Sequence, residues 1–259
     1  MAHFDAQKVR NEIVLWIRNW FTNNGPQASA VIGISGGKDS TITAALLTEA
    51  LGKDRVYGVL MPQGIQSDID DSKLVVNILG IESLVVNIES TVNELFSVIP
   101  NLSRDAVINT PPRIRMTTLY AIAASLPNGG RVANTCNLSE DYIGYSTKYG
   151  DSAGDFAPLA GLTVQEVLAI GDTIEYLPKE LVHKTPSDGL CGATDEDRFG
   201  FTYEVLDRYI RDGICEDASI QAKIDRMHLA NEHKLKVIPA YRMTNELISC
   251  CQNVATHTL

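Results

Sequence analysis

The chain has 259 residues, 44% of them hydrophobic and 21% charged, an ordinary globular composition with enough length to bury a sizeable core. Its 22 Lys and Arg against 32 Asp and Glu leave a formal net charge of −10, which argues against broad nucleic-acid or anionic-membrane binding and places any polyanionic ligand in a local pocket. Five scattered cysteines with no Cys-x-x-Cys pair match neither a disulfide framework nor a zinc site, and without a signal-type N-terminus or a membrane-length apolar run they suit a cytoplasmic protein.

The first segment reads as an amphipathic helix, with Val9, Ile13, Trp16 and Trp20 recurring at spacings of three and four, and Asn23-Asn24-Gly25-Pro26 stopping it. The run 28–34, β-branched and not alternating, predicts a buried parallel strand. A glycine-bearing turn follows, then a helix over 40–51. Next come a strand over 55–61 closed by Pro62, a helix near 67–79 and a strand over 83–88. The alternation predicts an α/β fold: a doubly wound parallel sheet with helices on both faces and right-handed crossovers. A long helix from Pro112 to about Leu126 and a strand over 131–135 continue it. In such sheets ligands sit beyond the carboxyl ends of the strands, so Ser35 and Asn134–Thr135 should face one crevice. Residues 144–202, rich in glycine and short in apolar runs, read as functional loops around short helices, and helical pattern returns over 201–210 and 216–233. The whole, residues 1–259, reads as one domain with a mobile rim.

The strongest chemical signal is Gly33-Ile34-Ser35-Gly36-Gly37-Lys38-Asp39-Ser40, which leaves a buried strand and opens a helix. Backbone N–H groups at a glycine turn and a helix N-terminus make a phosphate site, to which Ser35 and Ser40 add hydroxyls and Lys38 a positive charge. Asp39 would repel phosphate directly but could hold Mg²⁺ against it. The loop is neither a Walker A motif, because Asp follows Lys38, nor a Gly-x-Gly-x-x-Gly turn.

SGGKDS resembles the Ser-Gly-Gly-x-Asp-Ser loop of the ATP pyrophosphatases, which cut ATP between its α and β phosphates. Further fragments narrow the likeness: Asn134-Thr135-Cys136-Asn137-Leu138-Ser139-Glu140, the stretch Ser146-Thr147-Lys148-Tyr149-Gly150-Asp151 with Asp155, Arg113-Ile114-Arg115-Met116, Lys184-Thr185-Pro186-Ser187-Asp188-Gly189-Leu190, Asp195-Glu196 before Gly200, and Glu232-His233-Lys234. In this order and spacing they resemble the NAD synthetase family, whose fold is adenine nucleotide α-hydrolase-like and Rossmann-like. The resemblance implies a ligase that amidates deamido-NAD through an acyl-adenylate, with ATP as co-substrate and ammonia as nitrogen donor. It implies that Gly33 to Ser40, Gln66, Thr135 and Ser187 contact ATP and that Asp39 and Glu140 hold Mg²⁺. Arg115, Lys148, Asp155, His233 and Lys234 would contact deamido-NAD, with Asp155 also the candidate base for ammonium. It also implies a homodimer, for which the apolar helix from Met116 to Leu126 offers a surface.

One departure is Val164, where the family often places a Lys on ATP; either another cation covers that phosphate, Lys184 being a candidate, or this branch manages with one fewer. The acidic run Asp195, Glu196, Asp197 reads as a solvated turn and stays outside the expected site. With one helix before the nucleotide loop and Ala2 in place of a nucleophile, free ammonia is the simplest donor, a separate glutaminase chain remaining the alternative. Two rival classes are a tRNA sulfur-transfer enzyme, opposed by the acidic charge and unpaired cysteines, and a non-catalytic nucleotide sensor, opposed by intact Asp39 and Glu140.

Overall fold

The computed structural model describes residues 4–66, 69–184 and 194–241. Helix α1 (Ala6–Asn24) starts where Asp5 accepts from the Lys8 N–H and ends at Gly25, whose φ of 151° a side chain would resist. Val14, Ile17 and Phe21 form its buried stripe, while Trp16, expected on that stripe, is 43% exposed. Strand β1 (Ser29–Gly33) runs into the phosphate-type loop and α2 (Lys38–Leu51), which in turn leads to β2 (Val56–Leu60), α3 (Ile69–Leu79) and β3 (Glu82–Val85). Helices α4 (Glu89–Val98) and α5 (Arg104–Ser125) precede β4 (Gly130–Val132). The remaining helices are α6 (Leu138–Tyr142), α7 (Val164–Asp172), α8 (Lys179–Val182), α9 (Asp195–Phe199), α10 (Tyr203–Asp212) and α11 (Ala218–Asn231), closed by a 3₁₀ turn over Glu232–Lys234.

The four strands of the described residues form one parallel sheet in the order β3-β2-β1-β4, with Ile32 opposite Gly58 and Val31 opposite Val132. Both faces of β1 are covered, which is why its sequence is apolar without alternation. Ala30 and Ile32 join α1, α2 and α7 in the larger core, and Val31 joins Met116, Leu119 and Ala123 of α5 on the opposite face. Gly130 lets β4 lie against α5: a Cβ there would stand 2.8 Å from the Ala123 Cα.

The doubly wound expectation matches this architecture; two elements differ in extent. Helix α5 begins after the Ser103 cap rather than at Pro112, and it carries Pro111 and Pro112 inside. The strand over 131–135 shortens to Gly130–Val132, with Ala133 bridging Phe156 instead. Within the segment read as loops around short helices, α7 is one of those helices and belongs to the core: Val167 and Ile170 are fully buried among α1 and α2. Among the described residues no helix is long and apolar enough to cross a membrane.

Candidate active site

The site grows from the carboxyl end of β1. Gly36 turns the chain with φ +78°, and Gly37 is the N-cap of α2 without a side-chain cap, so the α2 amides face the turn. Ser35 and Ser40 brace the loop: their hydroxyls lie 3.0 Å apart, Ser35 N–H donates to Ser40 Oγ at 3.2 Å, and Gly37 N–H donates to Ser35 Oγ at 3.2 Å. A Cβ on Gly36 would stand 3.0 Å from the Ser72 backbone nitrogen, because the start of α3 closes over the loop. Glycine there meets both a left-handed φ and a crowded neighbour.

Lys38 is not an extended, solvated cation. Its side chain is 4% exposed, with Nζ 2.7 Å from Asp39 Oδ2 and 3.8 Å from Glu140 Oε1. Burial works to lower its pKa, but Asp39, Glu140 and Asp195 outweigh it and leave the group raised, so the ammonium is fixed in its charged form. Glu140 sits in the first turn of α6, whose N-cap Asn137 accepts from the Glu140 N–H at 3.1 Å. The fully buried Asn137 also donates to Asp39 Oδ1 at 3.1 Å. One side chain thereby ties the first turn of α2 to the first turn of α6, and a carboxylate from each lies near Lys38 Nζ. Burial and the Asp39 charge push Glu140 up to about 8, with Lys38 acting against them.

These two carboxylates fit Mg²⁺. Their hard oxygens lie around one cation position, and ionising both acids against one ammonium would leave excess negative charge, which protonation of Glu140 avoids without metal and a divalent ion would relieve. No set of three His, Cys, Asp or Glu able to hold a metal occurs among the described residues, so further oxygens would have to come from phosphate or water.

Beside Lys38 opens a cavity of about 210 Å³, lined among others by Val164, Lys184, Asp195, Glu196 and Tyr203. That volume suits phosphate groups rather than a whole nucleotide. Val164 and Lys184 share this cavity, and Lys184 Nζ is 2.6 Å from Asp71 Oδ2. Val164 offers no charge; its N–H donates to Ser139 Oγ at 3.0 Å, within a buried set that Asp207 completes by accepting from Ser139 Oγ and from Gln165 N–H.

The other expected residues fall in a neighbouring group. Arg115 Nε donates to the Met61 carbonyl at the end of β2, and burial lowers its pKa while Asp151 opposes that shift. Lys234 Nζ donates to the Gly144 and Ser146 carbonyls at 2.7 and 3.0 Å, and it too feels Asp151. Lys148 Nζ reaches the His233 carbonyl at 3.1 Å, so the last 3₁₀ turn is stitched to loop 144–151. Asp155 lies past the end of β4, where it accepts from the Val132 N–H at 2.7 Å and the Tyr120 hydroxyl at 3.2 Å. Thr135 sits half-buried between β4 and α6, and the Gln66 carbonyl accepts from the Ile69 N–H at the start of α3. Ser187 lies outside the described residues. Cys136 is buried, with its thiol pushed well up by burial and surrounding carboxylates, which removes it as a nucleophile.

A model of the family described as NAD synthase matches residues 9–246, nearly the whole chain. The chain belongs to the NAD synthase family. It is 39% identical over 252 residues to an NH(3)-dependent NAD(+) synthetase of Pyrococcus horikoshii, covering 92% of this chain and 95% of that protein. Among solved structures, the NMN synthetase from Francisella tularensis superposes with a TM-score of 0.85 at 30% identity, covering 93% of this chain and 100% of that one. The NH3-dependent NAD synthetase from Campylobacter jejuni gives 0.75 at 27%, with the same coverages. Family membership accounts for the order of the sequence fragments. The residues that the motif reading left out, Asn137 as a link and Asp195 and Tyr203 as walls, come from the fold. Asn137 carried a signal, its place three residues before Glu140; Asp195 belonged to a matching fragment, but the acidic run around it reads as a solvated turn, whereas the side chain is 7% exposed.

Proposed function

We propose that this protein is an ATP-dependent ligase that converts the nicotinate carboxylate of deamido-NAD to the amide with ammonia, releasing AMP and pyrophosphate. The observation that carries the reading is the convergence of Asp39 and Glu140 on the buried Lys38 ammonium, at the mouth of a glycine turn and an uncapped helix N-terminus. A carboxylate is a poor electrophile, and this site answers that problem by binding ATP rather than by offering a nucleophile.

A nicotinate oxygen attacks the α-phosphorus, the bond to the bridging β-phosphate oxygen breaks, and pyrophosphate departs. The α2 amides, Ser35, Ser40 and Lys38 neutralise the charge that gathers on the leaving group. Asp39 and Glu140 would hold Mg²⁺, which supplies further charge neutralisation at those phosphates. Ammonia then attacks the acyl carbon, the C–O bond to AMP breaks, and the surplus proton leaves nitrogen. Asp155, held by Val132 and Tyr120, is the carboxylate assigned to take that proton. Arg115, Lys148, His233 and Lys234 supply the cations and donors for the dinucleotide, Gln66, Thr135 and Ser187 complete the ATP contacts, and Lys184 covers the phosphate beside Val164.

The chain works as a cytoplasmic homodimer in this reading. The expected contact helix in fact turns Met116, Leu119 and Ala123 into the core. Its flank instead lines an open groove of about 520 Å³ with Leu84, Val86, Ile114 and Ile122, and that face is assigned to the partner copy.

The superposition on an NMN synthetase supports a second acceptor, the corresponding mononucleotide acid. Parallel assays with deamido-NAD and nicotinate mononucleotide, counting amide product and AMP, decide the matter. Faster amidation of the dinucleotide supports the main reading; preference for the mononucleotide replaces it; ATP cleavage with neither acceptor rejects both.

A further inference from the structure

Behind the Lys38 ammonium stands a buried assembly to which the reaction above gives no role. Tyr203, on α10, is 3% exposed and turns its ring to Lys38, Nζ lying 5.8 Å from the centroid. Its hydroxyl donates to Asp195 Oδ2 at 3.4 Å, and the Tyr145 hydroxyl donates to Asp195 Oδ1 at 3.0 Å. Asp195 itself is 7% exposed and opens α9, where the two hydroxyls bond it and the Lys38 ammonium interacts with it electrostatically. Phe199 packs edge-on against both rings, at 4.6 Å from Tyr145 and 5.8 Å from Tyr203, which fixes their tilt. Asp195 and Tyr203 also line the same cavity as Lys38.

A lysine stem has several rotatable bonds, and an ammonium that must meet phosphate at one point loses binding strength to whatever rotamer freedom remains. Here the freedom is removed on two sides. Asp39 and Glu140 take Nζ in front, and the Tyr203 ring, held by Asp195, forms the floor behind it. We propose that Asp195 and Tyr203 are positioning residues that seat the Lys38 ammonium for the ATP phosphates. Asp195 acts through the Tyr203 hydroxyl and by adding a third negative charge near Nζ; neither residue touches the reacting atoms. The inference rests on the ATP reading given above and names the side chains that make Lys38 effective within it.

The test is nucleotide binding by calorimetry, which needs no acceptor. Tyr203→Phe keeps the ring and removes its tether; Asp195→Asn keeps the shape and removes the charge; Tyr145→Phe removes a hydrogen bond from the same carboxylate but leaves the ring that faces Lys38. The expected result is roughly ten-fold weaker binding of ATP with Mg²⁺ in Tyr203→Phe and in Asp195→Asn. Binding of AMP, which lacks the outer phosphates, and the ATP affinity of Tyr145→Phe stay within about two-fold of wild type. The Asp195→Asn/Tyr203→Phe double variant is little worse than the weaker single, because both break one link. Unchanged ATP affinity in folded Tyr203→Phe, or equal losses for ATP and AMP, overturns the proposal. A wild-type protein that binds AMP but not ATP overturns the ATP reading and this inference together, which distinguishes that failure from the first.

Discussion

Replacing Glu140 with Gln should stabilise the metal-free protein while ending its chemistry. Burial and the neighbouring Asp39 charge raise the Glu140 carboxyl to about 8 from an ordinary 4.5, Lys38 offsetting them only in part. The sign follows from proton counting. Between those two values the folded protein keeps a proton that the unfolded chain has lost, so wild-type stability falls as pH rises through that window. At pH 7 the window is open by about 2.5 units, or roughly 3 kcal/mol at ~1.4 kcal/mol per unit. The substituted glutamine keeps the size and an acceptor oxygen but cannot ionise, so it escapes this cost. Urea denaturation with chelator present, at pH 5, 7 and 8.5, measures it. The gain of Glu140→Gln over wild type should be small at pH 5, reach a few kcal/mol at pH 7 and level off above about 8. A gain that does not change with pH, or a loss at pH 8.5, refutes the argument that Glu140 is held under electrostatic strain for function.

Three further outcomes test the frame around the site. Gly171→Val should destabilise by about 1–3 kcal/mol in urea melts, because even a Cβ at Gly171 would stand 2.6 Å from Val182 Cγ1 and 2.7 Å from Ile42 Cδ1; an unchanged midpoint contradicts the packing of α7 on α2 and α8. Asp207→Ala strips the acceptor from Ser139 Oγ and Gln165 N–H at a site 5% exposed. It should lose about 2–4 kcal/mol in the same measurement, whereas a loss below the error would remove Asp207 as the anchor of α7. Tyr120 is raised to about 12, by burial first and by Asp155 second. Asp155→Asn should therefore bring its phenol part of the way back toward 10, read by NMR titration of labelled tyrosine, and no movement would deny the contact.

The legible part of this protein was local. The apolar run before Gly33 must be covered on both faces, and it is the second strand in from the β4 edge, with α2 starting where Lys38-Asp39-Ser40 opens it. Asp39 and Glu140 were legible as a pair through their motifs, but not the Asn137 side chain that links them across 98 residues. Asp195 shows the limit most clearly. In sequence it begins an acidic run, and Asp197 behaves as that run suggests, capping Thr194 in solvent. Asp195 is buried because Tyr145, fifty residues earlier, and Tyr203, eight later, close over it, and no local pattern announces a long-range hydroxyl partner. Short helices were expected in this segment, but not that α7 would be a core helix whose Gly171 packs against Ile42 and Val182. At α5 the expected start at Pro112 proves to lie inside the helix, because the Ser103 side chain caps it earlier by accepting from the Ala106 N–H.

The role given to Asp39 and Glu140 is to serve cleavage of ATP between its α and β phosphates, coupled one-to-one to amide formation. The direct measurement supplies purified protein with ATP, Mg²⁺, deamido-NAD and ammonium, and counts NAD, AMP and pyrophosphate together in wild type and Asp39→Asn. Equal amounts of the three products from wild type, and none from Asp39→Asn, are predicted. ADP and phosphate in place of AMP and pyrophosphate, or undiminished turnover in Asp39→Asn, would contradict the account.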